Sequence, residues 1–439
     1  MTAEVAVMNK LGVALAADSA VTFGDEKQRK IYNAANKLFA LSKREPVGVM
    51  VYGSAEMMGV PWETILKIYR DELADHAFGT LEEYFKNFIA FLEASDRLFD
   101  REIQSRYVER NAGSMFLQIR KKILQLVQHE FEEKETVSEN EIEALAELVI
   151  SQRLAELDDL PFSVGLEQDH LDHLIVEYES VIRDAVTLVF QKLPLSDDQI
   201  RALVRIGASL ACRNLFPASR SGIVIAGFGR DEHFPSLRAA EFDVRAGNRL
   251  HYRVVQSATI TSEMGATIVP FAQSDVVNLF VEGIDSNYED MIYGFLGETF
   301  QEYPEELLKT LPALKDDERN SLISSWRGIG QKLLERFQAR TQKYVQERYI
   351  QPILSVVEAL PKSELAALAE AFVNLTSLKR RVSMDLETVG GPVDVAVISK
   401  GDGFVWIQRK HYFKSELNHQ FFRNYFRIET RSEGEIDHE

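Results

Sequence analysis

Hydrophobic and polar positions alternate between two regimes along this chain. At the start, two apolar runs, Met1 to Val7 and Val13 to Thr22, flank a short Asn9-Lys10-Leu11-Gly12 turn. Two such runs around that turn predict a β-hairpin. A polar segment follows from Phe23 to Asn36. Lys37 to Leu41 and Val47 to Gly53 then read as strands, separated by the turn Ser42 to Pro46. From Pro61 to about Phe216 the spacing of Leu, Ile, Phe and Val becomes helical, with breaks at Gly79, Asp158 to Pro161, and Leu193-Pro194. Ser138-Glu-Asn-Glu141 and Ser196-Asp-Asp-Gln199 fit capping boxes, in which side chains satisfy the free amides of a helix start.

Strands return at Ser221 to Phe228, Leu237 to Val244, Leu250 to Ser257 and Ala266 to Ala272. Helical spacing resumes from Asp275 to Arg381, with breaks expected at Pro304, Pro312 and Pro361. Two strands, Val393 to Ser399 and Phe404 to Gln408, precede an amphipathic helix from Ser415 to Phe426 and a charged tail. Each strand group alone would leave open edges. The order therefore predicts an α+β fold with two antiparallel sheets built from distant segments and helices on both outer faces, an α–β–β–α sandwich.

Composition narrows the function classes. The 439 residues carry 50 basic and 68 acidic side chains, a net charge of −18, which repels phosphate backbones and argues against nucleic acid as a partner. The single cysteine, Cys212, sits in an apolar run and reads as a buried structural thiol. With one cysteine no disulfide forms within the chain, in keeping with a reducing, cytoplasmic setting. No secretory leader and no membrane-spanning run is apparent, so no membrane partner is expected.

The candidate chemistry begins at Thr2. Removal of Met1 would give this residue both a hydroxyl and a free α-amine, a nucleophile and a base in one place. His170 and His173, with Asp169 beside them, have the residue types of metal ligands but read better as a solvated helix start. Gly227-Phe-Gly229 lacks the rest of a dinucleotide fingerprint and there is no P-loop, so neither a cofactor nor a metal is expected.

Four features then coincide. Asp18, in Ala17-Asp18-Ser19, follows Thr2 by sixteen positions; Lys37 opens the third strand; Gly53-Ser54-Ala55 closes the fourth. In this order and strand context the chain resembles proteasome β-type subunits, within the N-terminal nucleophile (Ntn) hydrolases that also include the bacterial heat-shock peptidase. The resemblance spans about 220 residues, and 61–216 and 275–381 are far longer than their counterparts in ordinary members. It implies a single Ntn-hydrolase domain over 1–439, a four-layer αββα sandwich with expanded helical layers.

The resemblance also implies roles. Thr2 would be the nucleophile. Lys37 would remain cationic and favour ionisation of the hydroxyl beside it, with Lys30 the runner-up for that role. Asp18 would pair with the lysine and hold it. The Gly53 N–H would stabilise the oxyanion. The serine beside the nucleophile falls at Gln273-Ser274, with Ser274 favoured. Thr388-Val389-Gly390-Gly391 resembles the family's Ser-Gly-Gly turn, which assigns Asp385 and Thr388 to the site. Ala20, Thr22, Ala35, Phe39, Val51 and Ala55 would bind the substrate residue before the cut and favour apolar over acidic side chains.

The implied activity is threonine-type proteolysis of peptide or protein substrates in intracellular degradation. A homo-oligomer and a separate ATPase unfoldase are the implied partners. A small-molecule amidase and a catalytically inactive scaffold are the competing readings on the same fold.

Overall fold

The computed structural model describes residues 2–23, 30–32, 35–217, 219–310, 315–383, 389–411, 413 and 415–420. The opening hairpin forms as its sequence predicts. Strands β1 (Ala3–Asn9) and β2 (Gly12–Ala17) pair antiparallel, Glu4 opposite Ala17 and Asn9 opposite Gly12. A short second hairpin, β3 (Val21–Phe23) with β4 (Lys30–Tyr32), occupies the segment that reads as polar linker. Then come β5 (Leu38–Ala40), β6 (Val47–Gly53) and the two-residue pair β7 (Glu56–Met57) and β8 (Val60–Pro61).

The first helical block contains α1 (Trp62–Leu73), α2 (Leu81–Ala94), α3 (Arg101–Lys134), α4 (Glu139–Asp158), α5 (Gln168–Phe190) and α6 (Asp197–Ser209). Both anticipated capping boxes are present, at Ser138 and Ser196, and a third, Thr80 with Glu83, starts α2. Strands β9 (Ser221–Gly227), β10 (Ser236–Ala246), β11 (Arg249–Thr259) and β12 (Ala266–Ala272) follow.

The second block contains α7 (Asp275–Glu282), α8 (Ser286–Lys309), α9 (Asp316–Val345), α10 (Gln351–Ala359) and α11 (Lys362–Val382). A π-helical turn, Gln346–Ile350, carries α9 into α10. Pro304 does not end a helix. It lies buried inside α8, which continues to Lys309 despite the lost backbone donor and the crowding that an interior proline brings. Pro361 does mark a boundary, as the residue preceding α11. Pro312 lies outside the described residues. Strands β13 (Asp394–Ser399) and β14 (Gly403–Gln408) complete the sheets. Of the predicted terminal helix, Ser415–Leu417 forms a 3-10 turn, positions 419–420 are α-helical, and everything beyond 420 lies outside the described residues.

Two five-stranded antiparallel sheets organise these elements, with strand orders β12-β1-β2-β13-β14 and β11-β10-β9-β6-β5. Because side chains alternate along a strand, β1 serves two cores. Ala6 and Met8 face the other sheet and pack with Leu15, Met50, Val224 and Leu237. Ala3, Val5 and Val7 face the opposite way, against Leu365, Ala369, Phe372 and Val373 of α11, whose spacing makes one apolar helical face. A third core joins the outer side of the second sheet, through Val49, Val51, Ile223 and Ile225, to helices of the first block, including Trp62, Phe88 and Phe116. Thus β1, which carries Thr2 at its threshold, is clamped on both faces.

Close approach between β6 and β9 depends on one glycine. A Cβ on Gly222 would lie 2.0 Å from the Tyr52 ring. Gly222→Ala is expected to lower folding stability by about 1–3 kcal/mol through overpacking, measurable as a reduced urea midpoint with an unchanged denaturant slope.

Candidate functional site

The end of the first hairpin gathers the site. β2 stops at Ala17, and Asp18 turns back onto the start of β1: the Asp18 N–H donates to Ala3 O at 3.1 Å, and Ala3 N–H donates to Asp18 Oδ1 at 3.2 Å. Asp18 Oδ2 accepts from the N–H of Ala20 at 3.3 Å and of Gly390 at 3.0 Å. The buried Lys37 Nζ donates to Asp18 Oδ1. A carboxylate this deeply buried is tolerable because its oxygens are paired and hydrogen-bonded. Ser19 ties the same corner to the late loop: its N–H donates to Gly390 O at 3.2 Å and its hydroxyl to Pro392 O.

Lys37 immediately precedes β5 in the second sheet, whereas Asp18 follows β2 in the first. Their ion pair bridges the two sheets at one end of the core between them. Lys37 Nζ also lies 3.1 Å from Glu4 Oε1, so one ammonium faces two carboxylates. Thr2 is 2% exposed. Its hydroxyl donates to Glu4 Oε2 at 3.0 Å.

Glu4 is a functional candidate absent from the residues that the sequence pattern singles out. It interrupts an otherwise apolar strand, and a position two residues from Thr2 shares its face. That isolated charge next to the proposed nucleophile is the signal the sequence offers. Burial pushes the Glu4 carboxyl up to about 7; the charge of Lys37 opposes the rise and that of Asp18 adds to it. Oε1 contacts the ammonium off hydrogen-bond geometry and has no hydrogen-bond partner among the described residues.

Beside this cluster is a cavity of about 180 Å³ whose lining includes Lys37, Gly53, Ala35, Val51 and Ala55. Tyr52, Pro61 and Trp62 add aromatic and apolar wall; Asn36 and Glu63 add polar groups. The Glu63 carboxyl is opposed by burial, but hydrogen bonding and charge from Lys67, with a further bond from Asn36, hold it below its ordinary range. Gly53 ends β6 with φ of +74°, a left-handed conformation suited to glycine, and is exposed.

Other candidates fall elsewhere. Ala20 is buried and outside the cavity lining, its N–H engaged by Asp18. Phe39 packs against the helix-side core of the second sheet. The backbone of Thr22 pairs with Ile31; the side chains of Thr22 and Lys30 lie outside the described residues. Ser274 precedes α7, just beyond Ala272, which pairs with Ala3. Among the described residues no hydrogen bond joins Ser274 to Thr2, Asp18 or Lys37; its carbonyl accepts from Asn278 N–H at 2.9 Å. Asp385 and Thr388 lie outside the described residues, although Gly390, from the same segment, reaches Asp18.

A second buried pair stands close by. Lys410 donates through its backbone N–H at 2.9 Å and through Nζ to Asp394, which lies opposite Ala17 on β13. His170 is half-buried in α5, where burial takes its imidazole down to about 4, and His173 contacts Glu177 at 3.3 Å.

No protein-family model and no curated protein matches the chain. Among solved structures, the chain is similar to Anbu (Gly-1) mutant from Hyphomicrobium sp. strain MC1, at 10% identity over 100% of both chains and a TM-score of 0.26. A likeness at that score carries no argument about function. No described helix is long and apolar enough to cross a membrane.

The raised Glu4 carboxyl makes stability depend on pH. Folded protein retains a proton there up to about 7, whereas the unfolded chain releases it near the ordinary 4.5. Its contribution is therefore fully present below the lower value and lost as pH rises through the upper one. Glu4→Gln is expected to remove this loss, so the urea midpoint of the variant relative to wild type should rise between about pH 5 and pH 8.

Proposed function

We propose that this chain is a threonine-type peptidase of the N-terminal nucleophile class, cleaving amide bonds with Thr2 once Met1 is removed. The observation that carries the reading is the meeting of Thr2, Asp18 and Lys37 in one buried cluster, beside a cavity that Lys37 and Gly53 both line. Each residue meets a separate need of acyl transfer. The Thr2 hydroxyl attacks the carbonyl, and threonine's branched Cβ restricts the direction of that hydroxyl. Lys37 supplies positive charge where negative charge develops, and Asp18 fixes it there. The Gly53 N–H stabilises the oxyanion, a contribution commonly of about 3–4 kcal/mol. The freed α-amine, with a reference pKa near ~8, is the expected proton acceptor in this scheme.

The four-layer αββα arrangement of that class is the architecture we infer, as one domain with 61–216 and 275–381 as added helical segments. The three apolar cores on either side of and between the sheets support it. The cavity favours a peptidase over a small-molecule amidase. At about 180 Å³ it is below the roughly 300–1,000 Å³ usual for a whole ligand, and suits one side chain of a longer substrate. Its walls are largely apolar, and Lys37 is already paired with Asp18, which leaves an acidic guest little to gain there. A homo-oligomer fed by a separate ATPase unfoldase, working in the cytoplasm on protein substrates, is the setting we propose.

Intact mass of the protein from its own host, with and without a threonine-directed epoxyketone, tests the nucleophile. Loss of Met1 and a covalent adduct absent from Thr2→Ala are expected; retained Met1, or no adduct, overturns the reading. On a panel of short fluorogenic peptides, cleavage after apolar residues should exceed cleavage after Asp or Glu by at least about tenfold. Cleavage confined to acidic positions would remove the proposed pocket.

A further inference from the structure

A buried carboxylate in contact with the hydroxyl of the proposed nucleophile is not required by the scheme above, which assigns the proton to the α-amine. Glu4 is fully enclosed at the end of the inter-sheet face of β1. One oxygen takes the Thr2 hydroxyl at 3.0 Å; the other faces Lys37 at 3.1 Å without a hydrogen bond. An apolar residue would fill this position between packed sheets at no desolvation cost. A carboxylate placed there instead, touching the reacting atom, suits a group that takes up and returns a proton.

The surrounding charges point the same way. Lys37 and Asp18 face Glu4 from the second sheet and from the end of β2, and Tyr52 faces it from β6. The Lys410–Asp394 pair on the β13 side is internally balanced. Among the described residues, two carboxylates therefore oppose Lys37 alone. Where Glu4 is ionised, an α-amine exposed at Thr2 would meet two carboxylates against the one Lys37 ammonium, which favours its own ammonium form and weakens it as a base. With that ammonium in place the cluster is neutral, and Glu4 is the group left to accept a proton. The amine and Glu4 then titrate as a coupled pair.

We propose that Glu4 is a catalytic residue, the proton acceptor for the Thr2 hydroxyl. This inference rests on Thr2 being the nucleophile. In acylation the Thr2 Oγ–H proton passes to Glu4 Oε2 as Oγ bonds to the substrate carbonyl carbon. The tetrahedral intermediate collapses with cleavage of the C–N bond, and Glu4 returns the proton to the leaving nitrogen. In deacylation Glu4 takes a proton from the attacking water and returns it to Oγ as the ester bond breaks, releasing the acid and restoring the site.

A small β-lactone separates this role from the others, because its ring opens on Oγ to form an ester and its own alkoxide receives the proton. The rate of single adduct formation on the full chain, followed by mass spectrometry across pH, is the readout. Wild type should acylate faster as pH rises through a limb set by the Glu4–amine pair, and Thr2→Ala should not acylate. Glu4→Gln should fall by about 100-fold or more and lose that limb, whereas an unchanged limb with a rate within about threefold of wild type overturns the assignment. Glu4→Asp, which keeps the carboxylate but shortens its reach, should fall between the two. If Glu4→Gln does not fold, a Glu4→Asp rate equal to wild type overturns it equally. Wild type that fails to acylate at any pH overturns the Thr2 nucleophile and Glu4 together, which distinguishes the two failures.

Discussion

One ammonium held against two buried carboxylates is the constraint on which the site depends. Lys37 enters from the second sheet, while Glu4 and Asp18 belong to the first hairpin. Bringing Lys37 and Asp18 out of water is costly, and their mutual proximity and the backbone donors around Asp18 offset it, while burial keeps a proton on Glu4 up to about 7. The position of Thr2 follows. Its strand is fixed by β2 and β12 on either edge, its neighbour Ala3 is tied to Asp18, and its hydroxyl is turned onto Glu4. Thr2, Asp18 and Lys37 each lie next to the end of a paired strand, which limits how far they can move.

The remainder of the chain serves this corner from a distance. Core packing on both faces of β1 makes a shift of the hairpin unfavourable, since a slip by one residue would exchange the apolar sets facing α11 and the other sheet. Helix α1 brings Trp62 and Glu63 to the cavity wall, so the first helical block contributes to the proposed substrate pocket as well as to the core. In the second block, α11 lies on β1 and β2, and its last turn reaches Gln273 and Asp275 through Arg380. That network lies next to Ser274 and accounts for how the segment beyond β12 is held.

Much of this is legible in the residues, and the limits are physical. The opening hairpin, the strand-to-helix switch near Pro61 and the capping boxes at Ser138 and Ser196 are local signals, and local signals survive folding. Thr2, Asp18 and Lys37 can be grouped only through their order and strand context, because the sequence separations say nothing of the sheet-to-sheet crossing that joins them. Glu4 is hidden by its surroundings: within a β-branched and alanine-rich strand one charged residue looks like the solvent face of a hairpin, and only the second sheet reveals that no solvent face exists there. The β3–β4 hairpin escapes a sequence reading because strands of three residues leave little periodicity to read. Pro304 misleads because a proline usually ends a helix, whereas here α8 runs on through it to Lys309.

The Asp18 carboxylate draws one of its hydrogen bonds from Gly390, 372 positions further along the chain, and β2 finds its second neighbour in β13. The hairpin therefore leaves the ribosome long before the segments that complete its lining. The proposed nucleophile on that hairpin lacks its completed surroundings while the polypeptide between the two is still being made. The separation in sequence delays completion of the proposed site until nearly the whole chain has been made.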